Sequence, residues 1–237
     1  MPDVFASLPC RDADIAELAV GDFATLTAKS ERIAYADDGV IGAGSFMLSS
    51  AFPFEQQGVQ AGHVVVLEGY MTTTTQNVAR LVPMPGGVTN DLLPVTSVSG
   101  STVTLNRIGY PTGQGAFPGG IAGCSAIKFY CPSLLAQIIT ATSDVKRRLS
   151  LSVSSVLINT TDLRIITILV VLRGLYFAQY RQTNDDVFRA KMNDLDAQIK
   201  DQYMSLEQVY ADQTPMGRRP LLGTMVDDPT WRVPLDY

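Results

Sequence analysis

His63 is the only histidine in the chain, and that bounds its chemistry more tightly than any other residue. A serine or cysteine nucleophile needs a base within hydrogen-bond reach. His63 stands just before the apolar run Val64-Val65-Val66-Leu67, the setting of a structural histidine rather than a catalytic one. Cys10, Cys124 and Cys131 are odd in number and widely spaced, which argues against a disulfide framework. With no CxxC pair and one histidine to assist, a zinc site is not expected, whereas reduced thiols are. No P-loop, GxGxxG, HExxH or EF-hand loop is present. Asp37-Asp38-Gly39 reads as a turn and Asp185-Asp186 as a helix start, rather than as metal ligands. The expectation is a non-enzyme with no catalytic residue, no metal and no cofactor.

The chemistry that remains is recognition. Lys146-Arg147-Arg148 closes a helical pattern. There it compensates the helix dipole on a solvated face, or forms a candidate contact with DNA phosphates or an acidic partner. The last stretch carries Leu221, Leu222, Met225, Trp231, Arg232, Val233, Leu235 and Tyr237, broken by Pro229 and Pro234. It is too apolar for a solvated tail and too proline-broken for a helix. Tryptophan, tyrosine and arginine anchor interfaces, and Trp231 is the sole tryptophan. Such a segment either folds back over its own core or inserts as an arm into a partner, ordering as it binds.

The elements that hold these residues change character near residue 130. Before it Gly, Thr, Ser, Val and Pro dominate; after it come Leu, Ile, Gln and charged residues. The spacing predicts an α+β chain: a β-rich barrel or sandwich, then a small helical bundle, then an extended C-terminal arm. The expected boundaries are an N-terminal segment with a short helix over 1–39, a β-rich domain over 40–131, a bundle over 132–212 and the arm over 213–237. Strands are expected at Val64–Leu67, Leu93–Val98, Thr102–Leu105 and Ala126–Tyr130, the second and third joined at Ser99-Gly100. Helix starts fall at Ser133, at Thr160-Thr161-Asp162 and at Asn184-Asp185-Asp186. On the third helix Phe188, Met192, Leu195, Ile199 and Leu206 form one apolar stripe, the candidate packing face between subunits. Thr72–Thr75 has strand propensity and reads as an edge strand or loop.

Charged residues make up 17% of the chain and the net charge is −5, so a chain-wide basic footprint for nucleic acid is absent. Low charge also fits a subunit covered by neighbours. The longest apolar run, Ile165–Leu172, is too short to span a bilayer, so a soluble protein without a membrane partner is expected.

The helical half resembles the head-to-tail connector (adaptor) proteins of tailed bacteriophages. Leu134–Val145 is similar to the family's first bundle helix, and Thr161-Asp162-Leu163-Arg164 leading into Leu172-Arg173-Gly174-Leu175-Tyr176 looks like its buried helix. The amphipathic helix ending at Tyr210-Ala211-Asp212 and the tail after it complete the likeness. In the β half, Gly58–Val65 resembles a strand start frequent in phage virion proteins, with His63 where an acid is common. The resemblance implies a structural virion protein of the neck, made in the host cytoplasm. It implies a homo-oligomeric ring of roughly twelve copies below the portal, with C-terminal arms gripping the portal protein. The tail or nozzle protein sits opposite, and double-stranded DNA passes without its sequence being read. The large β domain departs from the smallest, almost wholly helical adaptors. A different class fits the same composition: a soluble ligand- or carbohydrate-binding module with a helical oligomerisation region, its groove rimmed by aromatics such as Tyr70, Tyr110 or Phe117.

Overall fold

In a computed structural model, the structure describes residues 5–27, 31–41, 46–50, 53–73, 79–82, 91–106, 126–149 and 160–213. The chain divides into two compact units, Met1–Ala136 and Gln137–Tyr237.

The first unit is an antiparallel β-barrel. Its strands are β1 (Glu31–Ile41), β2 (Phe46–Leu48), β3 (Val64–Thr73), β5 (Asp91–Ser99), β6 (Thr102–Leu105) and β7 (Ile127–Ser133), with β4 (Ala79–Val82) extending β3 as a hairpin. Neighbours run β3-β5-β6-β2-β1-β7, and β7 returns to β3. Every pairing is antiparallel. Closure makes this a barrel rather than a sandwich, because the first strand of the order finds the last.

Side chains alternate across the wall as strand geometry requires. Val65 and Leu67, Leu93 and Val95, and Ile127, Phe129 and Cys131 all enter one buried core. The intervening Val64, Val66, Leu92 and Tyr130 face the other way and are nevertheless buried. Their cover comes from the N-terminal helices α1 (Asp12–Leu18) and α2 (Phe23–Thr27). Helix α1 lies against β3 and β5, and the Tyr130 hydroxyl donates to the Ala24 carbonyl at 3.4 Å. Strand β3 is therefore buried on both faces, which is why its sequence is a continuous apolar run rather than an alternation.

The β5–β6 hairpin turns at Gly100, whose φ of +57° is one that glycine adopts without strain. Asp37-Asp38-Gly39 forms no turn. It lies inside β1, at an irregularity in the pairing with β7 between Ala36 and Gly39. The Asp38 carboxylate accepts the hydroxyls of Ser49 and Ser50 at 2.7 and 2.9 Å, so the acids are absorbed by a bulge. The barrel thus begins at Glu31, inside the segment expected to precede it. Of the Thr run, Thr72 and Thr73 pair with β4, while Thr74 and Thr75 lie outside the described residues.

The second unit is helical: α3 (Leu135–Arg148), α4 (Thr160–Thr183) and α5 (Asp186–Gln213). The expected start at Ser133 shifts slightly. Strand β7 runs through Ser133, whose hydroxyl accepts the Leu135 N–H at 3.3 Å. Helices α4 and α5 form a hairpin through Asn184 and Asp185. Asn184 takes a left-handed φ of +54°, tolerable for asparagine, and Asp185 caps α5 by accepting the Val187 N–H at 2.9 Å. Midway, the Arg173 guanidinium donates to both oxygens of Asp196 at 2.6 and 3.3 Å.

Two glycines respond to opposite constraints. A Cβ at Gly39 would meet Met47 Cε at 2.5 Å, the Ile127 carbonyl oxygen at 3.1 Å and Phe129 Cδ1 at 3.1 Å, all at the core wall. Gly174 lies exposed in mid-helix with nothing within 4 Å of such a Cβ. Gly39→Ala should lose about 1–3 kcal/mol by overpacking. Gly174→Ala should gain about 0.5–1 kcal/mol from helix propensity. Urea unfolding of both variants checks this, and a neutral Gly39→Ala would mean that the wall is looser than described.

Candidate functional site

The apolar residues expected to bind a partner fall in the segment beyond Gln213. Leu221, Leu222, Met225, Trp231, Arg232, Val233, Leu235 and Tyr237 all lie outside the described residues. So do Tyr110, Phe117 and Cys124, and the side chain of Tyr70.

The stripe on α5 is described over most of its length. Leu195 and Ile199 are buried within the helical unit, together with Tyr203. Phe188 and Met192 are half-buried, and the Phe188 ring lies 6.1 Å from that of Tyr176 on α4. Leu206 lies on the same helix, its side chain outside the described set. The stripe thus packs α5 onto α4 of its own chain, which leaves the other faces of the helical unit. Those faces are not bare of apolar groups: Ile139, Ile165, Phe177, Val187 and Met204 are exposed. Ile139 and Ile165 fall at the helical spacing of α3 and α4, while Val187 and Met204 lie off the stripe of α5.

The basic triplet occupies the last turn of α3, where positive charge complements the helix dipole. Arg147 pairs with Asp144 at 2.9 Å, both well exposed. Arg148 stacks over the Tyr203 ring, its Cζ 4.1 Å from the centroid. Burial first raises the Tyr203 hydroxyl above its ordinary pKa, and the nearby Arg148 opposes this. Lys146 is half-buried. Two of the three cations are therefore engaged within the helical unit.

His63 is buried. Its Nδ1 lies 3.0 Å from the Gln60 N–H and 3.2 Å from the Gln60 carbonyl, and its ring meets Phe5 edge-on at 4.8 Å. Cys10 and Cys131 are buried and form no disulfide, and burial pushes the Cys131 thiol up. Among the described residues no group of three or more His, Cys, Asp or Glu side chains could hold a metal ion. None of their helices is long and apolar enough to cross a membrane.

A groove of about 340 Å³ follows β1, lined by Arg32, Ile33, Ala34, Tyr35, Ala36, Asp37 and Gln57. The Arg32 guanidinium sits 4.2 Å above the Tyr130 ring and 5.7 Å from that of Tyr35. Glu68, at the irregularity between β3 and β7, approaches Lys128 at 3.1 Å and Arg32 at 3.8 Å. The Glu68 carboxylate raises the Lys128 ammonium pKa. Exposed pairs of this kind add little stability; they fix where the side chains stand. Sequence reading missed this groove because its inward residues are Ala34 and Ala36, which carry a weak strand signal.

The comparisons with known protein families, with curated proteins and with solved structures found no match to this chain.

A buried acid ties the N-terminal helix to the end of the barrel. Asp12 is fully buried, and its oxygens accept the Leu134 N–H at 3.3 and 3.4 Å. Burial pushes its pKa from 3.8 up to about 8; the Leu134 hydrogen bond opposes this and Asp14 adds to it. The folded state keeps the proton after the unfolded chain has lost it. Stability from this group is therefore full below about pH 4, falls as pH rises to about 8, and is level above. Asp12→Asn keeps an acceptor for Leu134 without a charge to bury. Relative to wild type it should gain up to about 4 kcal/mol between pH 5 and pH 8. Denaturant midpoints at both pH values test this, and parallel pH curves for the two proteins would refute it.

Proposed function

We propose that this chain is a structural virion protein: an adaptor subunit of a ring that joins the portal of a phage head to the tail and surrounds part of the DNA channel. The observation that carries the proposal is the helical unit. Its long hairpin of 24 and 28 residues buries its own inner stripe yet exposes large apolar side chains on α3, α4 and α5. On this reading, neighbouring copies of the subunit cover some of these side chains. The order of helices and the apolar segment after α5 also support the reading, since both belong to the sequence resemblance.

On this reading the copies stand side by side in a ring of roughly twelve. The arm past Gln213 leaves its subunit to bury Leu221, Leu222, Met225 and the residues around Trp231 on other chains, the portal among them. The barrel meets the tail or nozzle protein or decorates the outside. A net charge of −5 suits a channel through which DNA slides, because dense Lys and Arg contacts would hold the phosphates. The neck of the virion is then its place, after synthesis in the host cytoplasm.

A ligand- or carbohydrate-binding module with a helical oligomerisation region is the second reading, and the groove along β1 is the observation that favours it. Solution mass separates the two. A connector forms a high-order assembly alone or upon adding portal protein, while the module stays a monomer or dimer in both conditions. A chain ending at Gln213 should keep its circular dichroism but lose portal affinity by on the order of 100-fold or more. Undiminished portal binding by that truncated chain would rule out the arm.

A further inference from the structure

Helices α1 and α2 cover part of the outer barrel wall with little of their own to hold them there. They have seven and five residues, too few to persist without the surface they pack on. Their underside is apolar: Ile15, Ala16, Ala19, Phe23 and Leu26 are buried, as are Val64, Val66, Leu92 and Tyr130 on the wall. Polar ties across the contact include the Ala13 N–H, which donates to the Gly62 carbonyl at 2.9 Å, and the Tyr130 hydroxyl on the Ala24 carbonyl. Short elements held by one apolar face belong to the part of a fold that opens most readily.

One tie in this contact depends on a proton. Asp12 is the first residue of α1 and is fully buried. Both its oxygens share the single Leu134 N–H, at 3.3 and 3.4 Å, which is long for such a bond. Among the described residues no lysine, arginine or histidine pairs with it. On its own helix the charge that acts on it is Asp14, of the same sign. On β7 the Cys131 thiol is close enough for Asp12 to raise its pKa further, after burial. Before β3, His63 is engaged by Gln60 and Phe5, and the Arg11 side chain lies over Gly62. On β5 the wall residue is Leu92. The helix dipole favours an anion at this position, but a carboxylate withdrawn from water without a cation is costly.

We propose that Asp12 is a proton-operated latch: protonated, it lets α1 and α2 lie on the barrel wall, and loss of the proton lifts this cover from an otherwise intact barrel. Lifting returns the carboxyl to water, where it gives up its proton. With the cover in place the same group keeps its proton above the 3.8 of an exposed aspartate, up to about 8. Opening therefore releases one proton over that interval, and its equilibrium constant rises about tenfold per pH unit. Above the interval both states are ionised and the dependence levels off. The opened state uncovers Val64, Val66, Leu92 and Tyr130, while the inward core of the same strands stays closed.

Thiol labelling reads the latch, because the chain carries a cysteine in each part. Cys10 is buried in the segment leading into α1, and Cys131 lies in the barrel core. The full-length protein carrying Cys124→Ser is the parent, and Asp12→Asn is added to it for comparison. N-ethylmaleimide labelling of Cys10 and Cys131 is followed by mass spectrometry from about pH 5 to pH 7, each rate divided by that of the same cysteine in the unfolded chain. In the parent, Cys10 should label on the order of tenfold faster than Cys131 or more. The ratio of the Cys10 rate in the parent to that in Asp12→Asn should rise roughly 100-fold over those two pH units. Equal normalised rates for Cys10 and Cys131 overturn the latch, since Cys10 is then reached only by global unfolding. A Cys10 rate with the same pH course in both proteins overturns it too, since the cover then opens without regard to Asp12. Should Asp12→Asn fail to fold by circular dichroism, the parent's normalised Cys10 rate must still climb about tenfold per pH unit, and a flat course refutes the proposal.

Discussion

The antiparallel pairing of β3 with β7, with Val66 opposite Tyr130 and Leu67 opposite Phe129, is the constraint on which the rest of the structure depends. It closes the barrel, and closure gives the inward residues of all six strands one common core. The same pairing places Val66 and Tyr130 side by side on the outer surface, creating the apolar face that α1 and α2 cover. Strand β7 then runs on through Ser133, and α3 begins at Leu135. Within the same unit, Asp12 of α1 accepts the Leu134 N–H at the end of β7. A buried carboxyl there is costly when charged, and burial accordingly raises its pKa.

Helix boundaries were the most legible part of this structure in the sequence, because they rest on local chemistry. Thr160 opens α4, and the Asn184-Asp185 link supplies both a left-handed residue and a cap. Strands β3, β5, β6 and β7 were legible from apolar runs and from the Gly100 turn. Strand β1 was not. Its inward residues are alanines, its bulge contains two aspartates and a glycine, and each feature locally signals a turn. Helix α2 has only five residues and is held by what it covers more than by its own propensity. The β3–β7 closure left no local trace at all, since it joins residues about sixty positions apart.

The candidate site divides along the same line. Residue type pointed to the arm, because tryptophan between prolines is conspicuous wherever it packs. The apolar stripe of α5 was recognised as an interface, but periodicity cannot say whose surface an apolar face will meet. Tyr176 and the burial of Leu195 and Ile199 show that α4 of the same chain takes it. The groove on β1 could not be read from composition, since its form depends on how the strands pair rather than on residue type.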